Sequence, residues 1–477
     1  MDDSRMPELD TNLKNLIAGE WVDSDKKIEV RNPYSNEVVG TVPHMSLDQV
    51  KKAIDALYDC ETSLTAHERS EILFKSADEI KARKSELSYG ISAESGMSLK
   101  DSAKEVDRGV GLMKVAAEEA KRIYGEQLPS DVDSAGRDKI IMGMRFPVGV
   151  VSAIVPFNRP MNQVVVKVAP AIAAGNRVIV KPTERTPMSA IRYIGILLNN
   201  GLPADMISVV TGKSSEIGDE LVSSRKIDMV TFTGSTDVGR KLTNMAGIKK
   251  LTMELGGNDP LIVLEDADLD LAAKLVVAGA YGNAGQACRG VKRILVVDSV
   301  ADAFAEKLTA ASKKLKCGDP FAPGIDVGTV IDEQAAEGIE QVVEDAVKQG
   351  ARVLCGHTRE GALYPPTVLD HVKPDSDMVI DETFGPVAPI IRVKDVQEAV
   401  KIANSTEFGL QSGVVTNNLE AIRYCINNLK VGAVNINEGP HFDMPNIPFG
   451  GVKQSGIGRE GIRYAMQEMT YVKTVVM

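Results

Sequence analysis

Positive charge is in short supply: 55 lysines and arginines face 66 aspartates and glutamates, leaving a formal charge of −11. An acidic surface attracts neither nucleic acid nor an anionic membrane, so neither is expected as a partner, and any anionic ligand needs a locally basic pocket. Cysteine is scarce as well. The five residues, Cys60, Cys288, Cys317, Cys355 and Cys425, are odd in number and show no CxxC or other metal-like spacing. That pattern argues against a disulfide scaffold, offers no metal site and fits free thiols in a reducing compartment. Long hydrophobic runs are missing too: residues 164–180 are broken by Lys167, Pro170 and Gly175, short of the roughly 20 uninterrupted apolar residues of a spanning helix. The polar start, Met1-Asp2-Asp3-Ser4-Arg5, lacks the cationic and apolar segments of a signal peptide. A cytoplasmic protein is expected, with no internal repeat and no low-complexity tract.

What is present is an enzyme-sized chain. At 477 residues it is too long for one core, so two or three domains are expected. Between about residues 46 and 122 apolar positions recur at helical spacing, as in Val50, Ile54, Leu57 and then Leu73, Ile80, Leu87, which predicts amphipathic helices. From 148 onward, β-branched runs at 150–155, 178–181, 208–211 and 229–233 alternate with helical patterns near 164–174, 189–199 and 217–223. This is the alternation of a parallel, helix-covered sheet. A second series, with strands at 260–264, 293–297, 352–354 and 387–393 among helices such as 301–315, implies a second α/β domain. Segments 138–145 and 471–476 read as lone strands, which need an edge to join, either each other's or a neighbouring subunit's.

Chemistry concentrates in Gly-rich turns. Cys288, in Gly285-Gln286-Ala287-Cys288, lies 34 residues beyond Glu254 in Glu254-Leu255-Gly256-Gly257. A thiolate can add to a carbonyl carbon, and a carboxylate can later activate the water that removes the acyl group. Phe232-Thr233-Gly234-Ser235-Thr236-Asp237-Val238-Gly239 follows a predicted strand and opens a predicted helix, so its N–H groups could cradle a diphosphate. It is not the usual GxGxxG, and a plain strand-to-helix turn would read the same. Lys181-Pro182-Thr183-Glu184 ends another strand, where a lysine and a carboxylate could hold ribose hydroxyls. That carboxylate would repel a 2′-phosphate and favours NAD over NADP; a surface ion pair capping a turn is the plainer alternative.

Together these residues resemble the aldehyde dehydrogenase superfamily over nearly the whole chain. Pro156-Phe157-Asn158, the motifs above, Glu382-Thr383-Phe384-Gly385-Pro386 and Pro448-Phe449-Gly450-Gly451 stand in the family's order and approximate spacing. The resemblance implies an α/β fold with a Rossmann-type cofactor domain (1–122 and 146–254), an α/β catalytic domain (255–435) and a small β oligomerisation segment (123–145 and 455–477), assembled as a homodimer or homotetramer. It implies Cys288 as nucleophile, Asn158 as oxyanion donor beside the Cys288 N–H, and Glu254 as general base for thioester hydrolysis. Relatives that pass the acyl group to coenzyme A are expected to lack that carboxylate, so a free acid is the expected product. NAD, or NADP, would be held by Lys181, Thr183, Glu184, Phe232, Thr233, Gly234, Ser235, Gly239, Leu255, Gly256, Glu382 and Phe384. Each residue also has a plainer role open to it: Cys288 as a small buried apolar group, Glu254 as a helix cap, Asn158 as a turn brace, Glu382 on a solvated loop.

The chain departs from the common family pattern at Arg159, where an aromatic or apolar residue usually follows Asn158. Arg289 follows the nucleophile, and Arg108 stands on a helix that lines the substrate entrance in relatives handling acidic aldehydes. Three guanidinium groups converging on one substrate anion would suit a small, anionic aldehyde. Arg108 could instead pair with Glu105 on its own helix, and Arg289 could point away. Within the family the resemblance is greatest to enzymes for phosphonoacetaldehyde, with sulfoacetaldehyde, lactaldehyde, glyceraldehyde-3-phosphate and succinate semialdehyde as competing substrates. The thiol should need a downward pKa shift, from turn amides and a bound nicotinamide cation, to be largely thiolate at neutral pH. A cofactor-independent thiol esterase and a non-catalytic nucleotide-binding scaffold are the readings from other classes; residues 437–446, with His441, resemble a loop at the substrate mouth without an assigned contact.

Overall fold

Val150–Val155 is a run of β-branched and small residues, nearly all buried, as expected of a parallel strand covered on both faces. Its side chains alternate between two cores: Val151, Ala153 and Val155 join one with Val178 and Val180, whereas Val150 joins another with Ile179, Val230 and Phe232. A computed structural model, which describes residues 9–477, shows how the strands assemble. The polar start on which the expectation of no signal peptide rests lies outside the described residues. Among those described, no helix is long and apolar enough to cross a membrane.

The first sheet has eight strands. Its parallel centre runs Lys250–Glu254, Met229–Thr233, Val150–Val155, Arg177–Pro182, Ile207–Val209. Antiparallel strands extend it, Asn15–Ile17 and Glu20–Val22 at one end and Gly456–Ile457 at the other. The chain moves outward from Val150–Val155 in one direction and returns to its other side at Met229–Thr233. A crevice therefore opens beyond the carboxyl ends of these two strands, where open α/β sheets bind ligands. Helix Asn162–Ala174, apolar almost all round and buried, covers one face.

The second sheet orders Arg352–Cys355, Thr367–Asp370, Val387–Val393, Arg293–Val297, Pro260–Val263, Gln411–Val415 and Ala433–Ile436, all parallel except the first. Arg293 is buried at the start of its strand. It donates to the carbonyls of Asn258 at 2.7 Å and of Ile402 and Ala403 at 3.0 Å each, the last two at the end of helix Val396–Ala403, where the helix dipole favours a cation. Asp259, buried beside it, interacts with it electrostatically, although burial pushes that carboxyl well above its ordinary range. Arg293→Met is expected to lower unfolding free energy by about 3–5 kcal/mol, because three buried carbonyls lose their charged donor. A denaturant melt reads this, and a loss below about 1 kcal/mol would place the worth of these bonds at that of a surface bridge.

A third, antiparallel sheet joins Glu126–Leu128, Ile141–Pro147 and Thr470–Val476. The two expected lone strands thus pair with each other, Tyr471 opposite Phe146, and Thr470–Val476 presents mostly exposed side chains at the edge. Of segment 455–477 only this strand enters the small sheet; Gly456–Ile457 pair instead with Met253 and Glu254. Predicted helix 217–223 is broken into two single turns, Ser214–Ile217 and Glu220–Ser223.

Candidate functional site

Strand Val150–Val155 leads into Pro156-Phe157-Asn158, and strand Met229–Thr233 into Gly234-Ser235 and helix Thr236–Ala246. Both exits floor a cavity of about 280 Å³ that also touches Glu254, Cys288, Glu382 and Phe384. Close packing of backbone is built in. A Cβ on Gly239 would stand 2.4 Å from the Leu255 side chain, and one on Gly256 2.7 Å from the Glu382 carboxylate and 3.1 Å from the Thr236 hydroxyl. Phe157 and Phe384 meet edge to face at 6.0 Å. The Thr233 hydroxyl, Glu382 Oε1 and Asn158 Oδ1 are buried there without a hydrogen-bond partner, an arrangement that leaves polar atoms for a ligand to satisfy. A flat ring against this aromatic pair, with a carboxamide or ribose to meet those atoms, fits the residues present.

Lys181 and Glu184 lie beyond the neighbouring strand. Lys181 is almost fully buried and donates to Ser214 Oγ at 2.8 Å and to Glu184 at 3.3 Å, while Glu184 also accepts from the Ser214 amide and hydroxyl. The pair is a half-buried cluster, not a surface bridge. Ser214 carried no sequence signal. Thr183 beside them accepts from the Arg185 amide at 3.4 Å.

Cys288 follows two consecutive non-glycine residues in left-handed conformation, Asn283 (φ 53°) and Ala284 (φ 51°), which is costly backbone held by its surroundings. The buried Asn283 amide donates to the Asn158 carbonyl at 2.7 Å, and Asn158 Nδ2 donates to the Gln286 carbonyl at 3.0 Å. These bonds clamp the thiol turn to the exit of Val150–Val155. One hydrogen of the Asn158 amide serves the clamp, and an amide nitrogen carries two. Lys292 completes the support by donating to the carbonyls of Gly285 and, at 3.1 Å, Thr383, with its ammonium 5.1 Å from the Phe384 ring.

Glu254 ends strand Lys250–Glu254, buried, with neither carboxyl oxygen in a well-directed hydrogen bond. Burial and the nearby Glu460 push its pKa up to about 8, against the pull of Lys167 and the facing Cys288 thiol. Lys167 and Glu460 form a buried pair at 2.5 Å. Burial and the Glu254 carboxylate likewise push the Cys288 thiol well above its ordinary pKa, although Arg289 opposes them. The expected downward shift is therefore not supplied by the polypeptide: more carboxylate than cation surrounds the sulfur. Glu382 is no solvated loop residue; burial raises it to about 7 while Lys292 draws it down.

Cys288 and Asn158 also border a second cavity, about 510 Å³, into which Arg108, Arg159, Arg289 and His441 project. Arg108 rises from helix Leu99–Glu119. It does not pair with Glu105, whose Oε1 accepts instead from the amides of Met161 and Asn162 at 2.9 and 3.0 Å. Arg108 grips Asp443, by Nε at 2.8 Å and by Nη2, and Arg289 Nη1 approaches the same carboxylate oxygen at 3.1 Å. The three arginines line this one cavity, and two of them share a carboxylate from loop 437–446. Sequence reasoning missed Asp443, Asn283, Lys292, Lys167 and Glu460; none sits in a pattern that announces its distant partner.

The sequence pattern described as the aldehyde dehydrogenase family matches residues 21–475. A lactaldehyde dehydrogenase of Methanococcus aeolicus is 39% identical over 469 residues, covering 97% of this chain and 99% of its own. A 3-sulfolactaldehyde dehydrogenase of Priestia aryabhattai is 37% identical, with 97% of each chain covered. The crystal structure of an NADP-dependent glyceraldehyde-3-phosphate dehydrogenase from Bacillus halodurans, complexed with NADP, superimposes with a TM-score of 0.94 at 38% identity, covering 98% of this chain and 99% of that one.

Proposed function

This chain belongs to the aldehyde dehydrogenase family and oxidises small aldehydes with NAD or NADP, and on that premise we propose that it converts a small anionic aldehyde to its free carboxylic acid through Cys288. The observation that carries this reading is that Cys288 and Asn158 border both cavities at once. Sulfur and amide can thus meet a carbonyl entering from the arginine-lined side while facing a ring bound on the other.

In the first step the Cys288 sulfur bonds to the aldehyde carbon, its proton passing to Glu254, and the carbonyl electron pair moves to oxygen. The free N–H of the Asn158 amide stabilises that oxyanion, worth roughly 3–4 kcal/mol per donor in analogous sites. A bound nicotinamide would supply the hydride acceptor, and Cys288 would then hold the acyl group as a thioester. Glu254 gives up the first proton to solvent and then takes one from water as the water oxygen bonds to the acyl carbon; as the C–S bond breaks, that proton returns to sulfur and the free acid leaves. Thr233, Glu382, Phe157 and Phe384 would hold the nicotinamide end of the cofactor; Lys181, Glu184 and Ser214 would hold the adenosine ribose, with Glu184 favouring NAD. The exposed edge Thr470–Val476 is the surface through which a dimer or tetramer would form.

Phosphonoacetaldehyde is the first substrate to test, with sulfoacetaldehyde, lactaldehyde, glyceraldehyde-3-phosphate and succinate semialdehyde beside it. A spectrophotometric panel of these aldehydes with NAD and with NADP is expected to show reduced cofactor forming with NAD preferred; steady turnover of activated esters alone would favour the thiol esterase instead. Among the described residues no carboxylate lies within 4.0 Å of the Arg159 guanidinium, unlike those of Arg108 and Arg289. Arg159→Leu is therefore expected to raise KM for charged aldehydes by about tenfold or more, with neutral aldehydes of equal length much less affected. Equal changes for both would remove the anion argument.

A further inference from the structure

We propose that Asp443 is a charge filter: its carboxylate, held between Arg108 and Arg289, sets the substrate cavity to receive a head group with one negative charge in preference to one with two. This rests on the reading above and narrows it. The three relatives are named for a neutral, a sulfonated and a phosphorylated aldehyde, so likeness leaves the charge open and the cavity must decide it.

Asp443 Oδ2 takes the Nε and Nη2 of Arg108 and lies 3.1 Å from Arg289 Nη1. Two guanidinium groups and one carboxylate leave a single positive charge. The Asp443 side chain is only 9% exposed, and Arg289 and Arg108 outweigh burial to hold its carboxyl below the usual range, so it stays ionised at neutral pH. Arg289 Nη1 is itself buried without a well-directed hydrogen bond, a donor left over for a ligand in a cluster otherwise occupied. Of the other cations of this cavity, Arg159 has no carboxylate within 4.0 Å among the described residues, burial pushing up the nearby Glu105 carboxyl against its pull. Lys100 and Lys104 pair with Asp326 and Asp101, and Lys274 is exposed, where water screens it.

A head group docking here meets donors of one guanidinium edge and the oxygen of Asp443 together. For a carboxylate or sulfonate the net attraction survives. The second charge of a phosphonate or phosphate is repelled by Asp443, whose carboxylate already takes up one of the two positive charges of Arg108 and Arg289. This places sulfonated and carboxylated aldehydes ahead of phosphonated ones, reversing the order read from sequence.

Sulfoacetaldehyde and phosphonoacetaldehyde, alike in shape and different in charge, test this at alkaline pH above the second ionisation of the phosphonate. The native enzyme is expected to favour the sulfonate in kcat/KM by about tenfold or more. Asp443→Asn should shift the phosphonate-to-sulfonate ratio upward by about tenfold or more, and Asp443→Glu, which keeps the charge, should retain the native ratio. A native preference for the phosphonate, an unchanged ratio in D443N, or the same shift in D443E would each overturn the filter; a role confined to bracing loop 437–446 would depress both substrates alike. Calorimetry of ethanesulfonate and ethylphosphonate binding to the native protein gives a second measure that needs neither variant nor turnover. Tighter sulfonate binding supports the filter and tighter phosphonate binding sinks it, even should no aldehyde yield reduced cofactor and the oxidation reading itself fail.

Discussion

Cys288→Ala will form reduced cofactor about 10⁴-fold more slowly than the native enzyme, or not measurably, because removal of a covalent nucleophile leaves only binding and oxyanion stabilisation to act. Alanine is close to cysteine in volume, and the sulfur sits where two cavities meet, so the fold should be little disturbed. Cofactor binding, followed by nucleotide fluorescence, should persist. Retained turnover would remove the thiol from the chemistry altogether. The same site predicts the thiol's behaviour before substrate arrives: with burial and Glu254 holding it protonated, iodoacetamide should react slowly at neutral pH in the empty enzyme. Reaction should quicken when the cationic nicotinamide ring is bound, since that charge supplies what the polypeptide does not.

Glu254→Gln should separate the two halves of the reaction. Hydride transfer needs no water, so a rapid burst of about one reduced cofactor per site should survive at elevated pH. Steady turnover should fall about 10²–10⁴-fold as the thioester waits for unassisted hydrolysis. Mass spectrometry of the stalled enzyme should find the acyl group on Cys288; loss of burst and steady rate in equal proportion would assign Glu254 to another step. In the native enzyme the ionised carboxyl is the working form, and its pKa of about 8 sets the direction of the pH dependence. Hydrolysis should accelerate as pH rises and level off above about 8. Stability runs the opposite way. A carboxyl whose folded pKa exceeds its unfolded value contributes fully below the unfolded pKa and loses that contribution as pH rises through the folded one. E254Q should therefore lose less stability than the native protein between mildly acidic and alkaline pH.

Much of this framework can be read locally, and the reason is physical. Strands Val150–Val155, Met229–Thr233, Arg293–Val297 and Val387–Val393 are short β-branched runs whose neighbours are turns or helical patterns, so their limits coincide with those expected. The motifs at their carboxyl ends follow because parallel strands deliver loops to one edge. Lys250–Glu254 and Gly456–Ile457 escaped notice: the first has an exposed lysine at its start and the second is two residues long. The N-terminal strands, paired to Ile207–Val209 through a single register position, are too short for alternation to show. Asp443 is the clearest case. It meets Arg108 across 335 positions, and no periodicity or spacing encodes such a meeting. Long-range ion pairs are set by how loops pack once the sheets exist.

The clamp that joins Asn283, Asn158 and Gln286 has a kinetic corollary. Sulfur and amide border two cavities, so on the proposed reading dinucleotide and aldehyde each have one of their own. An inert carboxylic acid lodged beside the arginines should compete with aldehyde yet leave the nucleotide's path clear. Either product can then depart while its companion is still seated.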